Sequence, residues 1–345
     1  MVESRDIDII FGSPIDWDVF RDRRVLITAS TGRLGMYIAE ALVKADLDYN
    51  LNMRIIFHAR NEEKLHHIFG NTLDFPNVEI LLQDIIEPIN ISGNIDYIFH
   101  TAGPAAPRDF TEAPAETLWA HVAGTHNILE LARAKNTKRV VYISTVEIYG
   151  EDVLEKDFSE TDMGVIYCDN SRSCYPEAKR LCEAMLASYE AEYGIPYVGA
   201  RMSHTFGPGI SLDDGRSFSE FIRCALNDKD IVLHSDGSAV RPYTYVADAI
   251  GAILMIATKG AENEFYNIAN LDNQISIKDL AELIAGLAPR GKTKVVFDES
   301  VSSLNYLNFR LGVMKTDKIK KIGWRPVVSV NDAFRYTIES FEQNV

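Results

Sequence analysis

The feature that most constrains this chain is an alternation. Short β-branched apolar runs are each followed by a stretch with apolar residues at helical spacing. "RVLITA" (24–29) precedes "GMYIAEALVKA" (35–45), and "RIIFHA" (54–59) precedes "EEKLHHIF" (62–69). "VEILLQD" (78–84) and "IDYIFHTAG" (95–103) then lead through "APAETLWAHVAGTHNILELARAK" (113–135) to "RVVYIST" (139–145). Strands that are apolar on both faces and separated by helices belong in a parallel sheet covered on both sides. The expected fold class is α/β, a doubly wound parallel sheet.

From about residue 200 the texture changes. "TFGPGISLDDGRSF" (205–218) is loop-rich, "SFSEFIRCALN" reads as a helix, and "DIVLHSDG" followed by "RPYTYVADAIGAILMIATK" as strand, loop and helix. The expected organisation is a nucleotide-binding sheet domain over 1–200, with an N-terminal extension over 1–20. A smaller α/β substrate-binding domain over 201–345 follows, some of its segments returning to the sheet. The small domain makes one wall of a cleft, and the carboxyl edge of the sheet makes the other.

Composition narrows the function. Apolar residues make up 46% and charged residues 25%, the balance of a globular protein. A formal charge of −15 argues against a nucleic-acid partner. It leaves room for a small anion held by local Arg, Lys and backbone N–H groups. No apolar stretch approaches the roughly 18 residues of a membrane span. The start "MVESRDIDII" lacks the basic-then-apolar order of a secretory signal, so no membrane partner and a cytoplasmic location are expected. Cys168, Cys174, Cys182 and Cys224 show no metal-ligand spacing; no metal is expected, and scattered reduced thiols are.

"TASTGRLGMYIAEAL" starts at Thr28 directly after the first strand and opens a helix. Gly32 and Gly35 sit where a loop must turn tightly and admit a pyrophosphate to a helix N-terminus. This makes the sheet Rossmann-type. Thr28, Ser30, Thr31, Gly32, Arg33, Leu34 and Gly35 are the cofactor candidates of the loop. Ala29 holds the place of the usual first glycine, so either the turn avoids positive φ or strain is tolerated there. The second strand ends "FHARNEEK", with Ala59 and Arg60 where an acid normally bonds the adenosine ribose. Arg60 can meet a 2′-phosphate or lie over adenine, so NAD is the expected cofactor with NADP open. Asp84 and Ile85 after the third strand, and Thr101, Ala102 and Gly103 after the fourth, complete the cofactor set.

"SRSCYPEAKRLCEAML" places Lys179 four residues after Tyr175, on one face of a helix. An ammonium beside a phenol, with an oxidised nicotinamide nearby, pushes a pKa near 10 toward neutrality and makes Tyr175 a usable general base. Thr145, at the end of the strand thirty residues upstream, completes a hydroxyl–phenol–ammonium relay.

These motifs resemble the extended short-chain dehydrogenase/reductases of the NAD-dependent epimerase/dehydratase type that act on nucleotide sugars, over nearly all of 20–343. Within that family the chain is most similar to the UDP-glucuronate decarboxylases. The stretches "HTAGPAAPRDFTEAPAETL", "STVEIYGE", "YPEAKRLCEAM", "ARMSHTFGPG", "DDGRSFSEF", "DGSAVRPYTYVADA" and "IGWRPVV" carry the likeness. The resemblance implies an enzyme that oxidises the sugar at C4 to a 4-keto intermediate, with internally recycled NAD. Thr145 would bond the C4 oxygen, Tyr175 would take the C4 hydroxyl proton, and Lys179 would hold the ribose and tune the phenol. Glu147 matches the acid beside the C5–C6 end of the sugar, and Arg241 the arginine that meets a hexuronate carboxylate. Arg216 would contact the nucleotide or diphosphate. Pro104, His204 and Arg310 join the substrate side. A homodimer pairing the Tyr–Lys helix and the helix near 115–133 is expected, as is a role in supplying sugars for surface polysaccharide.

Departures from the pattern keep alternatives open. Val146 stands where a 4,6-dehydratase has an Asp and a decarboxylase a Ser, so the acid of dehydration is missing. Glu147 is then either a catalytic or substrate-orienting carboxylate or a buried one paired to a cation such as Arg241. His121 and His204 replace asparagines, and "GPGI" (207–210) lacks the family's arginine. Decarboxylation of UDP-glucuronate leads, with a 4-epimerase or 4-keto reductase as runner-up. A non-catalytic dinucleotide sensor is the reading from another class.

Overall fold

The computed structural model describes residues 2–150, 157–298 and 313–342. Helix α1 (Ser4–Phe11) precedes β1 (Arg24–Ile27), α2 (Arg33–Tyr49), β2 (Arg54–Ala59), α3 (Glu62–Phe69), β3 (Val78–Leu82) and β4 (Tyr97–His100). Then come α4 (Pro107–Glu112), α5 (Pro114–Lys135), β5 (Arg139–Thr145), α6 (Cys174–Tyr193), β6 (Tyr197–Met202), β7 (His204–Phe206) and α7 (Ser217–Leu226). The remainder is β8 (Ile231–Leu233), β9 (Val240–Tyr245), α8 (Val246–Lys259), β10 (Glu264–Ile268), β11 (Gln274–Ser276) and α9 (Ile277–Gly286). It closes with β12 (Val295–Phe297), α10 (Asp317–Lys321) and α11 (Val330–Glu342).

Seven strands form one sheet in the order β10-β6-β5-β4-β1-β2-β3. Every pairing in it is parallel. The order reverses between β1 and β4, and the crevice at the carboxyl ends of those strands is where an open α/β sheet takes its ligand. The interior strands are buried on both faces, as their apolar runs require. Edge strand β3 departs from that reading: Ile80 is 41% and Leu82 42% exposed, because β2 is its one sheet neighbour. Outside the large sheet, β11-β9-β7 and β12-β8 make two small ones. β10 pairs with β6 and so returns to the large sheet. Where one strand, a loop and a helix are expected over "DIVLHSDG" and "RPYTYVADAIGAILMIATK", a second strand stands between: β8 is followed by β9, and α8 starts directly after β9.

Two polar anchors lie inside. In the first, Asp6 of α1 is fully buried and accepts from Tyr37 Oη at 2.6 Å and Tyr245 Oη at 2.7 Å. This pins the N-terminal extension onto α2 and β9. In the second, Arg201 of β6 grips Glu183 of α6 through Nε at 3.2 Å and Nη2 at 2.7 Å, and Ser144 of β5 donates to the same carboxylate at 2.5 Å. Arg201 also donates to Tyr149 Oη at 3.0 Å, and Tyr149 donates to Asn267 of β10 at 2.6 Å. Both charges of the pair are buried, so removing one strands the other. Arg201→Met is therefore expected to lower the unfolding free energy by roughly 3–5 kcal/mol, measured by urea denaturation; a change within error of zero would contradict this.

Candidate active site

The loop after β1 is shaped by its backbone. Ala29 has φ +49°, so strain is tolerated at the position that usually takes glycine. His58, buried in β2, meets it: its Nδ1 accepts from the Ala29 amide at 3.1 Å. Burial lowers the His58 pKa to about 4, so the ring is neutral with its proton on Nε2. Sequence reading passed over this residue, which is the last buried polar group of the strand. Gly35 approaches the loop so closely that a Cβ would lie 2.4 Å from the Ala29 carbonyl oxygen. Gly32 caps α2 without any side-chain capping bond. The amides of Arg33, Leu34 and Gly35 therefore face the crevice with no intrahelical acceptor. A helix start with free amides and a glycine cradle fits a dinucleotide pyrophosphate.

The loop side chains mostly serve the protein. Thr28 is fully buried; its Oγ1 accepts from the Thr101 and Ala102 amides, both at 3.0 Å, and the Thr101 hydroxyl bonds the Thr28 carbonyl. Ser30 donates to Ile27 O and His58 O at 3.1 Å each. Thr31 is part-exposed beside Gly32. Arg33 turns away to Thr205 O at 2.8 Å, and burial lowers its pKa to about 10. Arg60 pairs with Asp84 at 3.4 Å on the surface, so these two candidates neutralise each other. Ile85 is buried, and its carbonyl takes a bond from Asn127 at 2.9 Å. From Thr28 a buried chain runs to the catalytic-helix candidate: Thr28 Oγ1 to His100 Nδ1 (3.1 Å), His100 Nε2 to Thr125 Oγ1 (3.2 Å), and Thr125 Oγ1 to Cys182 Sγ (3.2 Å).

Tyr175 and Lys179 open α6, one turn apart. Lys179 is buried and donates to Ile143 O of β5 at 2.7 Å; its Nζ lies 5.9 Å from the Tyr175 ring centroid. Burial brings the Lys179 pKa down to about 8. Of the two causes expected to lower the Tyr175 pKa, the protein's own cations do not suffice. Burial raises its pKa, and the nearby Glu147 charge raises it further. The Thr145 hydroxyl, Arg216 and Arg172 oppose that rise. Among the protein's own groups burial outweighs the cations, so a lowered pKa needs the positive charge of the oxidised cofactor.

Thr145 ends β5 and caps a short 3-10 turn, Val146–Tyr149, its Oγ1 accepting from the Glu147 amide at 3.3 Å. Glu147 pairs with Arg172 at 2.9 Å rather than with Arg241. Val146 is buried in an apolar cluster with Ile148, Tyr149, Phe158, Ala269 and Met314. Phe110 stacks on Tyr175 at 4.3 Å and 14°, and the Arg172 guanidinium lies 4.6 Å from the Phe110 centroid. Neither Arg172 nor Phe110 stands out in the sequence, since both come from short connecting segments without periodicity. His121 Nε2 donates to Pro104 O at 2.8 Å, with its ring 5.4 Å from Tyr175. Burial, first, and Lys179 hold its pKa well below the usual imidazole value, so it is neutral and Nε2 is the donor.

On the substrate side, burial followed by the charges of Arg241 and Arg216 lowers the His204 pKa to about 3. His204 packs edge-on to Tyr243. Arg216 bridges Asp214 at 3.3 Å and Ala105 O at 2.7 Å, joining the 205–218 loop to the segment after β4. Arg241 donates to the carbonyl of Val240 at 2.9 Å and has no carboxylate partner among the described residues. Arg310 lies outside the described residues. Among the described residues no cluster suited to a metal occurs, and no helix is long and apolar enough to cross a membrane.

Comparison with known proteins adds the following. The model of the NAD dependent epimerase/dehydratase family matches residues 25–269. UDP-glucuronic acid decarboxylase 2 of Arabidopsis thaliana is 29% identical over 333 residues, covering 93% of this chain and 69% of that protein. UDP-glucuronic acid decarboxylase 1 of Xenopus tropicalis is 28% identical over 333 residues, covering 96% and 75%. UDP-glucose 4-epimerase from Thermotoga maritima, solved with UDP-glucose, superposes with a TM-score of 0.78 at 22% identity, covering 93% of this chain and 99% of that one. dTDP-glucose 4,6-dehydratase from Bacillus anthracis, solved with NAD, gives 0.72 at 21%, covering 93% and 97%. These two likenesses establish the fold.

Two substitutions test the loop. Ala29→Gly relieves a left-handed Ala and is expected to stabilise by about 1 kcal/mol, seen as a higher Tm. Gly35→Ala drives a methyl into the Ala29 carbonyl and is expected to abolish NAD binding in isothermal titration calorimetry; unchanged affinity would refute the cradle.

Proposed function

The chain belongs to the NAD-dependent epimerase/dehydratase family, and from that premise we propose that it oxidises a nucleotide sugar at C4 and then decarboxylates it, with UDP-glucuronate as the substrate. The observation that carries the reading is the layout of charge at the sugar end. Val146 offers no proton for dehydration and is buried in apolar surroundings, while Glu147 stands beside Tyr175. Arg241, close enough to His204 to lower its pKa, has no carboxylate partner among the described residues. A half-buried guanidinium without an anion suits a carboxylate brought by the substrate.

The steps follow from named groups. The Thr145 hydroxyl bonds the C4 oxygen and Tyr175 accepts the C4 hydroxyl proton. Lys179, fixed to Ile143 O, keeps a positive charge at the back of the phenol. The amides of Arg33, Leu34 and Gly35 at the α2 N-terminus would hold NAD, which would supply the hydride acceptor for C4 and the hydride for the 4-keto pentose. With C4 a ketone, C6 is the carboxylate of a β-keto acid. The C5–C6 bond breaks, CO2 leaves, and the electron pair moves onto the C4 oxygen, where the Tyr175 phenol and Thr145 stabilise it. Protonation at C5 then gives the 4-keto pentose. Glu147 borders the C5–C6 end and orients it.

The same reading carries a cytoplasmic homodimer. All four cysteines are free thiols, in keeping with a reducing compartment. Trp119 of α5 is 59% exposed and Leu181 of α6 48% exposed, an apolar face suited to a second copy.

Incubation with UDP-glucuronate, followed by mass spectrometry and proton NMR, should give CO2 and a UDP-pentose. A mass-neutral inversion at C4 would make the enzyme an epimerase instead. Tyr175→Phe should lower turnover roughly 100- to 10,000-fold while NAD binding is kept; an indifferent variant would favour the sensor reading. Trp119→Glu combined with Leu181→Glu should yield a monomer in light scattering.

A further inference from the structure

Two contacts converge on Arg172, a residue without a part in the reaction, and a third links them to Tyr175. Its Nη2 donates to Glu147 Oε2 at 2.9 Å. Its guanidinium lies 4.6 Å from the centroid of Phe110. Phe110 in turn stacks on Tyr175, with centroids 4.3 Å apart and planes at 14°. Arg172 belongs to the turn (Ser171–Ser173) that leads into α6, and Phe110 to α4. The Arg172 and Glu147 side chains are 31% and 28% exposed, while Tyr175 is buried, so the ion pair forms the rim of the site and the phenol its floor.

Several charged or titratable groups surround the phenol. Its own helix brings Cys174 and Lys179, α5 brings neutral His121, and β5 brings Tyr142. The loop before α7 brings Arg216, and the turn after β5 brings Glu147. Glu147 opposes loss of the phenolic proton, whereas Arg172 and Arg216 favour it. Tying the acid to a cation beside the same ring offsets much of the acid's effect there. The aromatic sandwich meanwhile fixes the plane of the phenol.

We propose that Arg172 is a positioning residue for the reaction, holding Glu147 and, through Phe110, the Tyr175 ring in one arrangement so that acid and base act on the same sugar. This rests on C4 oxidation by Tyr175 as read above. Its test must separate a charge role from a merely structural one.

The experiment is single-turnover oxidation of UDP-glucuronate by the full-length, NAD-loaded enzyme, followed as NADH absorbance across pH. The rate rises with pH as the phenol loses its proton. Removing a nearby cation makes that loss harder and moves the rising limb to higher pH; removing a nearby anion moves it to lower pH. Arg172→Gln should shift the limb upward by about half to one pH unit, and Glu147→Gln should shift it downward. The double variant should return it close to wild type, and Arg172→Lys should keep it in place. A uniform loss of rate in Arg172→Gln with no shift would overturn the proposal. Should the wild type oxidise none of UDP-glucuronate, UDP-glucose and UDP-galactose, the functional reading fails on its own account. The clamp is then tested by urea unfolding of the wild type, Arg172→Gln, Glu147→Gln and their double variant: non-additive effects of the two single variants uphold it, and strict additivity overturns it.

Discussion

The buried bond between Arg201 and Glu183 is the constraint on which the site depends. Two opposite charges, both taken out of water, are stable only because each finds further partners. Glu183 receives the Ser144 hydroxyl, and Arg201 also reaches Tyr149 and the Glu160 carbonyl. The consequence is positional. Glu183 lies on the helix that carries Tyr175 and Lys179, Ser144 precedes Thr145, and Tyr149 ends the turn that presents Glu147. One ion pair therefore ties together the elements that carry Tyr175, Thr145 and Glu147.

A protein of formal charge −15 builds a local surplus of positive charge at this crevice. Arg172, Arg216, Arg241 and Lys179 stand around a phenol and two neutral imidazoles. Burial raises the phenol's pKa and lowers those of the lysine and the histidines. The protein thus holds the phenol and both imidazoles uncharged, and the charge that would make Tyr175 a base has to arrive with the cofactor.

The sheet was legible because its strands are apolar on both faces and its helices keep their period. The phosphate loop and the Tyr–Lys pair were legible because short-range spacing fixes their geometry. What the sequence hides is of two kinds. Ala29 shows no sign of its left-handed φ, which is imposed by the closeness of Gly35 and the bond to His58. Arg172 and Phe110 acquire meaning only when two short, aperiodic segments, far apart in the chain, fold onto α6. The partner of Glu147 is likewise a tertiary fact: it is Arg172, 25 residues along the chain, and not Arg241, the cation that the alternative reading of Glu147 offered as an example. Exposure of β3 follows from its edge position, which residue pattern alone does not encode.

Gly103 and His121 carry a lesson about how far this site can change. Gly103 has φ +134°, and a Cβ there would fall 2.2 Å from His121 Cε1. The imidazole fills the space that any other residue at 103 would need. As long as His121 is present, Gly103 is locked, although neither residue lies next to the other in the chain. Emptying position 121 would clear the space, yet the φ of +134° would still reserve position 103 for glycine.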